Sequence, residues 1–222
     1  MSITLVSITD GRGDCLDRTL ASARTHLHGP ITLRLLIDDS ADPYYGDRID
    51  RIYWASWDIV HHRRRYGFAG AIQSAWAQLQ PRHEPWVFHL EDDFEFTRHV
   101  DLVEMAHALT DHPHLVQMAL RRQAVSAVEA AAGGVVEMWP GAYTDVHHGT
   151  AHWLEHRLFF TTNPALYRRA LTTAGWPTGA GSEHAFTQRL LANDTVRFGY
   201  WGRRTDKPWV HHLGDQRVGT GY

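Results

Sequence analysis

Apolar and polar positions along the chain alternate between short β-branched runs and segments with helical spacing. Residues 3–9, "ITLVSIT", predict a buried strand that stops at the turn-forming "DGRGD". From Asp14, placed as an N-cap, Cys15, Leu16, Leu20, Ala23 and Leu27 recur at helical spacing until "HGP". Residues 31–37 predict a second strand ending at Asp38, Asp39 and Ser40, and "DIVHH" near residue 60 predicts a third. A helix over about 69–79 leads through Pro81 and Pro85 to a strand at 86–90, which runs directly into Glu91, Asp92 and Asp93. Downstream, the pattern predicts a helix over about 100–110 and a strand over 115–120. A mixed, loop-rich stretch over 125–153 is broken at Gly133-Gly134. Helices over 163–174 and 182–192, a short strand and a glycine-rich end complete the chain.

This alternation predicts an α/β fold with a mostly parallel central sheet flanked by helices. Such sheets bind ligands beyond the carboxyl ends of their strands, which is where the three acids fall. Three adjacent carboxylates repel one another, so either water solvates them or a cation sits among them. No internal repeat or linker interrupts the 222 residues, which are expected to form one domain over 1–222 in two halves, 1–96 and 97–222.

Composition removes several classes of function. A net charge of −3 argues against a non-specific nucleic-acid binder, although "HHRRRY" at 61–66 keeps a local contact with nucleic acid open. Lys207 is the only lysine, so nearly all positive charge is arginine. A lone Cys15 excludes an intramolecular disulfide and argues against cysteine-held zinc. The start lacks the charged front of a secretory signal, and no apolar run reaches membrane-spanning length, so a soluble, cytoplasmic protein is expected.

The order of segments resembles that of the GT-A glycosyltransferases, in particular the large family that includes many inverting bacterial enzymes. The residues carrying the resemblance are "ITDGRGDCLDRTLAS", "LLIDDS", "RRRYGFAGAIQSAW", "VFHLEDDFEF", "NPALYRR", "GSEHAF" and the late His212-Leu213-Gly214. The resemblance implies transfer of a hexose from a nucleotide-diphosphate sugar, with UDP the default, under Mn²⁺ or Mg²⁺. It also implies that "EDD" stands at the family's DxD element, where Glu91 replaces the usual aspartate. Asp93 is then the expected metal ligand, with Glu91 or Asp92 meeting the ribose or metal-bound water. In an extended segment Glu91 and Asp93 face the same way, so both are able to address one ion. A late histidine suits Mn²⁺, and because adjacent strand residues face opposite sides, only one of His211 and His212 reaches it. The HxG match selects His212.

For the donor, the resemblance points to the loop of Thr9, Asp10, Gly11 and Arg12, to Asp39, and to Arg65, Gly67 and Gly70. Asp38 and Asp39 read alternatively as turn residues, and Gly70 as a packing glycine. An inverting transfer requires a base that accepts the acceptor's proton. Glu183 is the candidate, with His184 the alternative because it replaces the second acid of the family's usual pair; equally, Ser182 is placed to cap the helix. Trp153 and Asn163 are expected on the acceptor side, and Trp153, Trp176 and Trp201 are either stacking platforms or core. Arg203, Arg204 and Lys207 either close over a diphosphate or form a solvated loop. The acceptor is expected to be soluble: a protein, a small metabolite or a modified nucleobase.

Three rivals stand beside this reading. "HWLEH" fits the H-x-x-E-H zinc-peptidase pattern, with His152 and His156 as ligands and Glu155 as base, if the segment is helical. A nucleotidyltransferase is disfavoured because its glycine-rich signature loop relies on a nearby lysine, and the chain has none before Lys207. A non-catalytic nucleotide-sugar-binding module would keep the fold without turnover.

Overall fold

The computed structural model describes residues 1–216, with side chains over 1–214. The glycine-rich end expected beyond them lies outside the described residues. The first half runs β1 (Ile3–Thr9), α1 (Gly13–His26), β2 (Leu27–His28), β3 (Ile31–Asp38), α2 (Pro43–Tyr53), β4 (Asp58–His61), α3 (Gly67–Leu79) and β5 (Trp86–Glu91). After β6 (Phe94–Phe96), β7 (Val100–Asp101), α4 (Leu102–Asp111) and β8 (Leu115–Ala119) come the short helices α5 (Ala127–Ala132) and α6 (Val135–Met138). The hairpin β9 (Tyr143–His148) and β10 (Ala151–His156), then β11 (Ala165–Arg168), α7 (Ser182–Leu191), β12 (Arg197–Trp201) and β13 (Val210–His212) complete the fold.

A nine-stranded sheet of order β4-β3-β1-β5-β11-β8-β12-β10-β9 forms the centre. Strands β4, β3, β1 and β5 are parallel, and β11 and β10 run opposite to the other seven. Every residue of β1 is buried, as expected of a strand covered on both faces. Its alternation divides the core: Ile3 and Leu5 pack with α1 and α4, whereas Val6 and Ile8 pack with α3. Helix α3 supplies Ala71, Ile72, Ala75, Trp76 and Leu79 at helical spacing. Each large apolar side chain buried this way contributes about 1.5–3 kcal/mol.

Four local expectations differ from the structure. Helix α1 begins at Gly13 without a side-chain cap, placing Asp14 inside its first turn. Helix α2 was not visible in the periodicity; Asp42 caps it by accepting from the Tyr44 N–H, with Pro43 opening the helix. The segment expected as a helix over 163–174 is instead strand β11 and a 3₁₀ turn, Arg169–Ala174, because β11 fills the slot between β5 and β8. Pairing on both edges there overrides local propensity. The stretch expected to be loop-rich holds the β9–β10 hairpin.

That hairpin removes the zinc-peptidase reading. On strand β10, His152 and His156 share a face but stand about 13 Å apart at strand rise, too far to share an ion. His156 is buried, which lowers its pKa to about 3, and Glu155 lies 3.1 Å from His114 Nε2. Trp153, Trp176 and Trp201 are all core residues, at 1%, 5% and 4% exposure, so none offers a stacking face.

Candidate active site

Strands β1, β3 and β5 end on the same side, and the pairing of Ile8 with Glu91 brings the loop after β1 against the three acids. The ladder of β5 stops at Glu91, and Asp92 and Asp93 form the turn into β6. The three acids therefore do not alternate as in a continuous strand, and the expectation that Glu91 and Asp93 face one ion from extended backbone loses its premise. Strand β6 pairs antiparallel with β13, setting His212 opposite Phe94. His212 Nε2 lies 3.3 Å from Asp93 Oδ2, while His211 is exposed on the other face. Gln123 fixes this arrangement from both sides, donating to the His212 carbonyl at 3.0 Å and accepting from its N–H at 2.8 Å. A Cβ on Gly214 would come within 2.4 Å of Asp93 Oδ2, so any larger residue here would push against the Asp93 carboxylate.

Arg12 is the cation among the acids. Its guanidinium bonds Asp92 and Asp93, and its Nε donates to Asp10 Oδ1 at 2.8 Å. Burial opposes its charge, but the three carboxylates outweigh burial and raise its pKa. Asp92 is fully buried, and this pushes its carboxyl up to about 7 against the pull of Arg12 and of the Thr9 hydroxyl, which donates to it at 2.7 Å. Burial acts on Asp93 too, yet His212 and Arg12 prevail and hold it below the usual carboxylate range. Asp93 Oδ1 and His212 Nδ1 are buried without a partner.

A second acidic pair lies beside the first. Thr162 donates from its hydroxyl to Glu183 Oε2 at 2.8 Å, and the Glu183 charge acts on the neighbouring Glu91. Glu183 sits in the first turn of α7, and burial raises its pKa despite the Thr162 bonds. Ser182 does not cap this helix; it accepts from Trp176 Nε1 at 3.0 Å. His184 is exposed, and Asn163 is half-buried next to Thr162.

Burial pushes the Glu91 carboxyl well above its ordinary value, with Asp93 and Glu183 adding to the shift. A raised pKa in the folded state means that the stability penalty is absent below the unfolded value, about 4.3. The penalty grows as pH rises through the folded value. Glu91→Gln is therefore expected to raise the melting temperature at pH 7, with the gain disappearing as pH is lowered toward about 4.3; thermal melts at both pH values check this.

Other expected donor residues serve the framework. Asp39 accepts from the N–H groups of Tyr66 and Gly67, both at 2.8 Å, and lies 2.7 Å from His62 Nδ1, so its oxygens organise the 62–67 loop. Thr9 is buried against Asp92 and Tyr45. Gly70 is a packing glycine, since a Cβ there would meet Tyr66 Cβ at 2.4 Å. Arg65 is exposed and donates to the carbonyls of Asp10 and Ser40 beside Gly11, whose φ of +103° suits glycine. Arg203 bonds His152, and Arg204 bonds Asp145 and the Tyr143 carbonyl, so these two arginines brace the hairpin. Thr162 and Gln123 carried no sequence signal; both act through partners far along the chain.

Among the described residues, no set of three His, Cys, Asp or Glu side chains converges to hold a metal. The site fits a divalent ion that takes two protein ligands, Asp93 and His212, and completes its shell with phosphate and water oxygens. The unpartnered Asp93 Oδ1 is the observation supporting that fit. A separate groove of about 610 Å³ between α1 and α2, lined by Leu20, Leu27, Tyr53 and Trp57, contains none of these acids.

No family model matches the sequence, and no curated protein matches it. The fold does match solved structures. A mannosyltransferase from Pyrobaculum calidifontis, solved with GDP-Man and Mn²⁺, aligns over 97% of this chain and 57% of its own with a TM-score of 0.63 and 15% identity. S. aureus TarS 1–349, solved with UDP-GlcNAc, aligns over 99% of this chain and 60% of its own at TM-score 0.64 and 14% identity. GalNAc-T7, solved with UDP, GalNAc and Mn²⁺, aligns over 96% of this chain and 44% of its own at TM-score 0.67 and 10% identity. The chain thus has the GT-A fold, and it spans 44% to 60% of the length of these three structures. Among the described residues, no helix is long and apolar enough to cross a membrane.

Proposed function

We propose that this chain is a metal-dependent glycosyltransferase domain that moves a sugar from a nucleoside-diphosphate donor to a soluble acceptor. The observation that carries this reading is the meeting of Asp93 and His212 at the carboxyl end of β5, with Asp93 Oδ1 buried and unpartnered. The nucleotide sugars and Mn²⁺ in structures of the same fold support it. Asp93 and His212 would hold Mn²⁺ or Mg²⁺, which when bound offsets the charge that grows on the diphosphate leaving group.

The protein's own residues divide the remaining work. The loop from Asp10 to Arg12 and the exposed Arg65 line the approach to the diphosphate. Glu183 accepts the acceptor's proton during an inverting attack, with Thr162 fixing its carboxylate. UDP is the preferred donor nucleotide, and a protein, a small metabolite or a modified nucleobase the acceptor. Incubation with a panel of UDP- and GDP-sugars and Mn²⁺ is expected to release the nucleoside diphosphate slowly without acceptor, and faster with a suitable one. Binding without release under every condition would instead identify a non-catalytic module.

A further inference from the structure

We infer that Arg12 is a built-in counter-cation that occupies the metal's side of Asp93 until a diphosphate draws it away, so that metal and donor binding are coupled through one side chain. This rests on the nucleotide-diphosphate reading of the site. The loop after β1 delivers the guanidinium onto Asp10, Asp92 and Asp93 at once. It takes Asp93 Oδ2 and leaves Oδ1 unpartnered. The exit from β13 closes the other side: a Cβ on Gly214 would stand 3.4 Å from Arg12 Nη1 and 3.3 Å from His212 Nε2. Space around Asp93 is thus already filled by a positive group.

A divalent ion arriving alone must approach Arg12 at short range or displace it from three carboxylates, and it offers the guanidinium no new partner. A diphosphate does offer one, because its paired oxygens match the planar fork of arginine. Transfer of Arg12 from Asp93 to the diphosphate removes the positive charge beside Oδ1 and releases Oδ2 as well, so that the whole carboxylate would be open to the metal as the phosphate oxygens arrive. By linkage, each ligand then raises the affinity of the other.

The test is Mn²⁺ uptake, read from the loss of the free-ion paramagnetic resonance signal, by wild type, Arg12→Met and Arg12→Lys, with and without UDP or GDP. Without nucleotide, Arg12→Met is expected to bind Mn²⁺ about ten-fold or more tightly than wild type, and its enhancement by diphosphate should shrink. Arg12→Lys, a point charge that cannot bridge Asp92 and Asp93 together, should fall between the two. A folded Arg12→Met with no gain in Mn²⁺ affinity overturns the inference. If that variant does not fold, the absence of any gain in Arg12→Lys does so. Failure of the wild type to bind any diphosphate with any cation would overturn the nucleotide-sugar reading instead, since the nucleotide-free comparison reports on Arg12 alone.

Discussion

Asp93→Asn is expected to reduce sugar transfer by about 10²–10³-fold and to remove Mn²⁺-dependent retention of the nucleoside diphosphate. The asparagine keeps the shape of the side chain but loses the charge that Arg12 and His212 both address. Steady-state transfer and Mn²⁺ titration of the same preparation check this. Some stability should be lost as well. Because the folded pKa of Asp93 is depressed, its ionised form stabilises the protein above the unfolded pKa. That contribution fades as pH falls through the folded value, so wild type and variant should converge in acid. Retained Mn²⁺-dependent transfer by a folded Asp93→Asn would move the metal away from the end of β5.

Glu183→Gln should cost about 10²–10⁴-fold in turnover while leaving donor affinity nearly unchanged. The variant keeps a hydrogen-bonding partner for Thr162 and loses only the base. The base works deprotonated, and burial raises its pKa. The acid limb of the wild-type rate profile should therefore lie above the ordinary glutamate value, with rate falling as pH drops through it. His184 is exposed, and His184→Ala should retain turnover. The reverse result, a dead His184→Ala beside an active Glu183→Gln, would transfer the base to the histidine. Rates across pH with saturating donor separate these outcomes.

The half up to β5 was legible because its signals are local. β-branched runs bounded by turns marked β1, β3 and β5, and the acids announced the carboxyl end of β5. What escaped depends on distant pairing. Strand β11 exists because β5 and β8 flank it, which no local propensity of "ALYR" could indicate. The relation of Arg12 to Asp92 and Asp93 spans 80 and 81 positions and follows only from the adjacency of β1 and β5. Asp39 was expected to meet the donor because the resemblance points to it, whereas the backbone N–H groups of Tyr66 and Gly67 bond its two oxygens. Strand alternation allowed only one of His211 and His212 to reach the acids, the HxG match picked His212, and the β6–β13 pairing places it beside Asp93.

The central claim is that a nucleoside diphosphate binds at Asp93 and His212 through a divalent ion. Thermal melting of the full chain against UDP, GDP, CDP, ADP and their sugars, each with Mn²⁺ and with chelator, tests it most directly. The predicted result is stabilisation by at least one diphosphate that requires Mn²⁺ and disappears in Asp93→Asn. No stabilisation by any of them with Mn²⁺, or equal stabilisation in chelator, would contradict it.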